Sequence, residues 1–119
     1  MRILFILLAC LTTNVILAQT NISAGNVFGT WKKTGSPFKI NGNIVVPKDS
    51  TLRIEKGVKV EFQGSYSLEV KGSVQAIGAP ADTISFTAAN KTAGWGGIEL
   101  RKNLTRKDSL LFNYCKFEY

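Results

Sequence analysis

The sequence predicts an all-β solenoid, a column of short strands, on three observations. Between Thr51 and Ile77 apolar and polar residues alternate, the period of a strand with one buried face. Leu52, Ile54, Gly57, Val58 and Val60 recur in the same order as Leu68, Val70, Gly72, Val74 and Ala76, and such self-similarity at a near-constant spacing marks a repeat architecture. From Thr20 to Tyr119 no stretch keeps a helical period, and short apolar runs are bounded by Gly, Pro, Asn and Ser. A β-sandwich is the competing layout. It needs strands joined by hairpins, whereas a solenoid needs apolar positions that stack coil upon coil, which the repeat favours. The interval covers two short strands and their corners, so a full coil of about 20 residues or more is expected, giving about four coils.

Met1 to Ala18 reads as a cleavable secretion leader. Arg2 is the charged start, Ile3 to Leu11 is an apolar run, and Val15-Ile16-Leu17-Ala18 precedes Gln19. The alternative is a buried hydrophobic strand or helix. Leu7-Leu8-Ala9-Cys10 also resembles a bacterial lipobox, which would make the chain a lipoprotein anchored through Cys10. Residues 19–27 read as a flexible post-leader segment. Val27, Phe28 and Trp31 come before any repeat and suggest an N-terminal cap, because a strand stack has an apolar end that must be covered. Residues 28–119 are expected to form the cap and coils.

Lys32 to Pro37 reads as a loop. Phe38-Lys39-Ile40 and Ile44-Val45-Val46 read as strands joined by Asn41-Gly42-Asn43, a tight-turn signal. Pro47-Lys48-Asp49-Ser50 reads as a second turn, with Asp49 and Ser50 able to hydrogen-bond the bend. In the central repeat Leu52, Ile54, Val58, Val60, Leu68, Val70, Val74 and Ala76 are expected inward. Gly57, Gly64, Gly72 and Gly78 are expected at corners, where positive φ or lack of space favours glycine. Thr83 to Thr87 and Trp95 to Leu100 read as further strands, with Phe62 and Phe86 in core phase. Asn103 to Asp108 reads as a basic loop, and Ser109 to Tyr119 as one alternating segment in which Cys115 is a small buried hydrophobe.

Gly29-Thr30-Trp31, Ile44-Val45-Val46-Pro47, Thr51 to Phe62, Leu68 to Gly78, Ile84-Ser85-Phe86-Thr87 and Trp95-Gly96-Gly97-Ile98 follow one another in order. That series resembles the N-terminal coils of secreted right-handed parallel β-helix repeat proteins of the pectate-lyase-like superfamily, Bacteroidetes-type. The resemblance covers roughly Phe28 to Tyr119. It implies polysaccharide lyases, hydrolases and adhesins as relatives, and usually many more coils. It therefore implies a chain truncated at its C-terminus or a fragment of a longer protein.

The chain of 119 residues contains no histidine, which excludes His triads, His metal ligands and His bases. With the leader removed only Cys115 remains, so neither an internal disulfide nor a cysteine zinc cage can form. Gly94-Trp95-Gly96-Gly97 lacks the lysine and helix of a phosphate loop. Asp49, Asp82 and Asp108 lie in separate turns. Glu61, Gln75 and Glu99 are placed on one outer face, where charge pairing with Lys and Arg is the default use of carboxylates. The Asn-x-Ser/Thr patterns at Asn21, Asn90 and Asn103 read as chance matches in a bacterial chain. No catalytic residue, metal site or cofactor is expected.

The net charge is +7, scattered along strands except at Arg101-Lys102 and Arg106-Lys107. Without interleaved aromatics these pairs do not predict a nucleic-acid partner. Tyr66, Trp95, Arg101 and Lys102 are the candidate glycan contacts, with Tyr114 and Tyr119 as further outer aromatics. The expected function is an exported, non-catalytic module at the cell surface or outside the cell, serving as a structural, adhesive or glycan-contacting scaffold. Its expected partners are a polysaccharide or cell-envelope glycan, and other copies through edge pairing at the open C-terminal coil. The alternative is an N-terminal fragment of a polysaccharide lyase or glycoside hydrolase whose active site lies in later coils.

Overall fold

The computed structural model describes residues 19–101 and 110–119. The leader with Cys10, and Lys102 with the basic loop after it, lie outside them. Thirteen strands follow in order among the described residues: β1 (Thr20–Ile22), β2 (Gly25–Asn26), β3 (Gly29–Trp31), β4 (Phe38–Ile40), β5 (Ile44–Val46), β6 (Thr51–Ile54), β7 (Lys59–Phe62), β8 (Ser67–Val70), β9 (Ser73–Ile77), β10 (Ile84–Ala88), β11 (Gly97–Leu100), β12 (Leu110–Asn113) and β13 (Cys115–Phe117). A 3₁₀ turn, Lys33–Gly35, sits in the loop expected between β3 and β4. Among the described residues no helix is long and apolar enough to cross a membrane.

Each strand pairs in parallel with the strand three further along. The result is three parallel sheets, β1-β4-β7-β10-β13, β2-β5-β8-β11 and β3-β6-β9-β12, here called sheets A, B and C. This is the pairing of a parallel β-solenoid and not of a sandwich. An all-parallel sheet normally carries continuous apolar strands because both its faces are covered. Here only the inner face is covered, so the strands alternate: β6 and β7 are buried at every second residue.

Inward residues stack in columns. In sheet A, Phe38, Val60, Phe86 and Phe117 lie in register, as do Ile40, Phe62 and Ala88. In sheet B, Ile44, Leu68 and Ile98 stack. In sheet C, Leu52, Val74 and Leu110 form one column, and Trp31, Ile54, Ala76 and Phe112 another. All eight inward positions expected in the central repeat are buried, as are Phe62 and Phe86. Burying each such aliphatic side chain stabilises the fold by roughly 1.5–3 kcal/mol.

The interval from Leu52 to Leu68 turns out to be two sides of a three-sided coil. Leu52 lies in sheet C and Leu68 in sheet B. The residue directly above Leu52 is Val74, so the full turn runs past Leu68 and closes one strand later. At the corners, Gly57 has φ +80° and its N–H donates to the Asp82 carbonyl at 3.0 Å. Gly72 is required for space: a β-carbon there would run into the carbonyl oxygens of Ser50 and Pro47.

Three local expectations differ from the structure. The sheets start before Phe28, since Thr20–Ile22 pairs with β4 and Gly25–Asn26 with β5. Trp31, buried in the terminal strand of sheet C, lies in the first coil and stacks on Phe38 at 4.9 Å. Ser109 to Tyr119 is not one strand. It breaks at Tyr114, whose φ of 50° turns the chain from sheet C into sheet A. Glu61, Gln75 and Glu99 do not share a face, because they belong to β7, β9 and β11 in three different sheets.

Burial fades in the last strands. β11, β12 and β13 each pair on one side only among the described residues, and Leu100 and Phe117 stand about half exposed, at 51% and 49%. Cys115 is only partly buried. Its Sγ donates to the Ala76 carbonyl at 3.3 Å, and burial pushes its thiol pKa up. It is therefore held as a thiol and is a poor nucleophile.

Phe62→Ala removes a ring packed between Ile40 and Ala88 and stacked on Trp95. It is expected to cost about 3–5 kcal/mol, read as a lowered urea midpoint at unchanged slope. Arg53→Ala, at an exposed outward position, is expected to stay within about 0.5 kcal/mol.

Candidate functional site

Inward positions are filled with packed apolar side chains, so chemistry with solvent is left to the outward residues and the corners. The three faces differ in how their charges are satisfied. On sheet A, Lys59 Nζ pairs with Glu61 at 3.2 Å, Lys39 lies beside Glu61 in register, and Gln63 Nε2 donates to Glu61 at 3.1 Å. The Gln63 amide first, and then the two lysines, hold the Glu61 carboxyl below the usual glutamate range. On sheet B, Glu69 and Glu99 sit directly opposite each other in register. Arg101 relieves that clash with a 2.8 Å bond from its Nη2 to Glu69, and Lys71 approaches the same carboxylate at 3.6 Å.

Sheet C is different. Its main outward column runs Thr30, Arg53, Gln75 and Leu111. It carries one charge and no acid. Beside it lies an open groove of about 530 Å³, lined by that column's Thr30, Arg53 and Gln75 and by Lys33, Glu55, Lys56 and Ile77. Three stacked corners adjoin it, of which those at Lys33 and Glu55 line the groove. Lys33 Nζ pairs with Asp82 at 2.8 Å, the Lys33 N–H donates to the Glu55 carboxylate at 3.0 Å, and the Gly57 N–H holds the Asp82 carbonyl. Lys33, Glu55 and Asp82 are thus engaged with one another. Arg53 and Lys56 have no ion-pair or hydrogen-bond partner for their side chains among the described residues.

The residues expected to contact glycan are only partly brought together. Tyr66 and Trp95 occupy the same corner on successive turns, and the Gly96 N–H donates to the Tyr66 carbonyl at 2.7 Å. One face of the Trp95 indole lies on Phe62 at 4.5 Å, and its Nε1 donates to the Glu118 carbonyl at 2.8 Å. The indole is therefore half-buried and locked to the core. Arg101 follows the far end of β11, six residues beyond Trp95, in its bond to Glu69. Lys102 lies outside the described residues. Tyr114 and Tyr119 are exposed, and the Lys91 ammonium sits 5.2 Å from the Tyr119 ring centre. Among the described residues no three His, Cys, Asp or Glu side chains are close enough to share a metal ion.

Reading along the chain did not single out Arg53, Lys56 or the groove. The signal that finds them is the true coil period: Thr30, Arg53 and Gln75 are each one full turn apart, all in outward phase.

Over 80 residues the chain is 31% identical to Protein bark beetle of Drosophila melanogaster. The match takes in 66% of this chain and 3% of that protein, so the chain spans a small fraction of the curated relative it resembles. No family description matches the chain, and no solved structure matches it.

The Glu69 carboxyl is held below the usual glutamate range, first by the Arg101 hydrogen bond and then by the charges of Arg101 and Lys71. A depressed carboxylate pKa adds stability above the unfolded value and loses it as pH falls through the folded one. An NMR titration should place the Glu69 midpoint below that of an ordinary glutamate. Arg101→Gln should move that midpoint upward, and raised salt should shift it the same way because the pair is exposed. A midpoint unchanged in Arg101→Gln would show that the bond does not form in solution.

Proposed function

We propose that this chain is part of an exported, non-catalytic β-helix scaffold that acts at the cell surface or outside the cell, as a structural, adhesive or glycan-contacting surface. In this reading it is a right-handed helix of about four turns within the pectate-lyase-like superfamily. The handedness follows from the strong preference of parallel crossovers for the right-handed sense. The observation that carries the proposal is the division of labour across the strands. Inward columns form one continuous apolar core from Val27 to Phe86, while outward side chains stand in ladders on three solvent-facing sheets. Such a column presents a large, preorganised surface at little cost in ordering, which suits binding to an extended partner. Export rests on the leader expected at Met1 to Ala18, with lipidation at Cys10 as the variant that would keep the module on the envelope.

Two measurements test this reading. The first is the mass of the protein recovered from the envelope or medium of the expressing cell. A chain starting at Gln19 or at a lipidated Cys10 supports export, and a full-length cytoplasmic chain overturns it. The second is incubation with a panel of insoluble cell-wall and uronate polysaccharides. Retention on at least one, without new reducing ends or unsaturated products, is the expected outcome. Released sugars would overturn the non-catalytic assignment, and retention on none would remove glycan contact.

A further inference from the structure

We propose that the groove on the outer face of sheet C binds an acidic peptide segment of a partner protein, a stretch in which carboxylates flank an aliphatic residue. The inference goes beyond the scaffold reading and does not depend on glycan contact.

Three observations carry it. The first is unbalanced charge. Lysines and arginines on sheets A and B meet carboxylates, as in the pairs Lys59–Glu61, Lys71–Glu69, Arg101–Glu69 and Lys116–Glu118. The groove lining holds three cations, Lys33, Arg53 and Lys56, against one carboxylate, Glu55; Lys33 is paired with Asp82, and Glu55 accepts the Lys33 backbone N–H. Arg53 and Lys56 form no ion pair among the described residues, and with Lys33 they outnumber the one carboxylate, Glu55, on the same concave surface. A guanidinium with five donors and no ion-pair partner is matched by a carboxylate, which it can hold with two parallel bonds.

The second observation is what stands next to the charge. Thr30 and Gln75 are the neighbours of Arg53 in the outward column. They can each donate and accept, as a peptide backbone requires. Neighbouring strands lie about 4.8 Å apart, so this column offers hydrogen-bonding groups at three successive levels along the groove.

The third observation selects between anionic partners. The groove lining contains no aromatic side chain, whereas Ile77 is 48% exposed and opens into it. A sugar ring presents a flat C–H face and a nucleobase a flat π face, and both are best met by an aromatic platform. An isoleucine offers a rounded aliphatic contact, which a leucine or valine side chain fills. Cationic, hydrogen-bonding and aliphatic groups in one groove together describe an acidic peptide better than a uronate chain or a nucleic acid.

The test is fluorescence anisotropy with the intact protein and a labelled peptide in which leucines alternate with glutamates and serines. Its counterpart with lysines in place of the glutamates is the control. The expected result is saturable binding of the acidic peptide, with Kd on the order of 100 μM for so small a site, no binding of the lysine peptide, and weakening at high salt. Arg53→Glu should weaken binding by about tenfold or more, the size of a lost charge-assisted bond. Lys56→Glu, three residues along the chain, should act in the same direction, and Ile77→Asp, on the next turn, should also weaken binding. All three sites are exposed, so an unchanged melting temperature checks the fold. Retention of Arg53→Glu on any polysaccharide that holds the parent protein separates this site from the scaffold's glycan contact. Absence of saturable binding, indifference to both charge reversals, or tighter binding of an oligouronate or single-stranded oligonucleotide to the same groove would overturn the proposal.

Discussion

Vertical registry of the inward side chains is the constraint on which the rest of the structure depends. In a parallel stack each inward residue has another directly above and below it, as Leu52 has Val74 and Val74 has Leu110. A slip of one residue would turn a whole strand's apolar set toward water. Registry therefore fixes which strands pair, and pairing in turn satisfies the backbone groups of a chain with almost no helix among its described residues. The corner conformations follow. Gly57, Gly72 and Tyr114 sit where the chain must change direction without moving the strands out of phase. Aromatic residues extend the same principle, because Phe86 lies parallel to Phe117 at 5.0 Å on the next turn.

How legible this was depended on how distinctive each side of the coil is. Leu52, Ile54, Val58 and Val60 announced their burial through strict alternation, and all are buried. The length of the turn was hidden because the three sides resemble one another. A two-sided shift from Leu52 to Leu68 gives as good an apolar match as the full turn to Val74. β1 and β2 were missed because Thr20–Ile22 and Gly25–Asn26 are short and polar, so composition reads them as loop, and only pairing to β4 and β5 makes them strands. Trp31 reads as an end cover from its size, and registry with Ile54 puts it in the terminal strand of sheet C.

The candidate surfaces were harder still to read, because a face of a solenoid is assembled from residues a full turn apart. Glu61, Gln75 and Glu99 look related along the chain and point from three different sides. Thr30, Arg53 and Gln75 look unrelated and are immediate neighbours. Charge composition alone could not tell the faces apart. The strand ladders do so, by showing acids beside bases on two sheets and an arginine whose ladder neighbours, Thr30 and Gln75, are neutral on the third.

Turn length is not constant along the column. The turn that carries Thr20 to its ladder partner Phe38 is the shortest of four. Those from Leu52 to Val74 and from Leu68 to Ile98 are successively longer, and the one from Val74 to Leu110 is twice the first. The described strands stay short, so among the described residues the added ones fall in the connections between them. Doubling such a connection adds only about 0.6 kcal/mol of closure entropy, while the strand ladders on either side are unchanged. The architecture thus uncouples growth from threading. A corner can acquire a new excursion, and with it a new recognition surface, without any strand having to find a different neighbour.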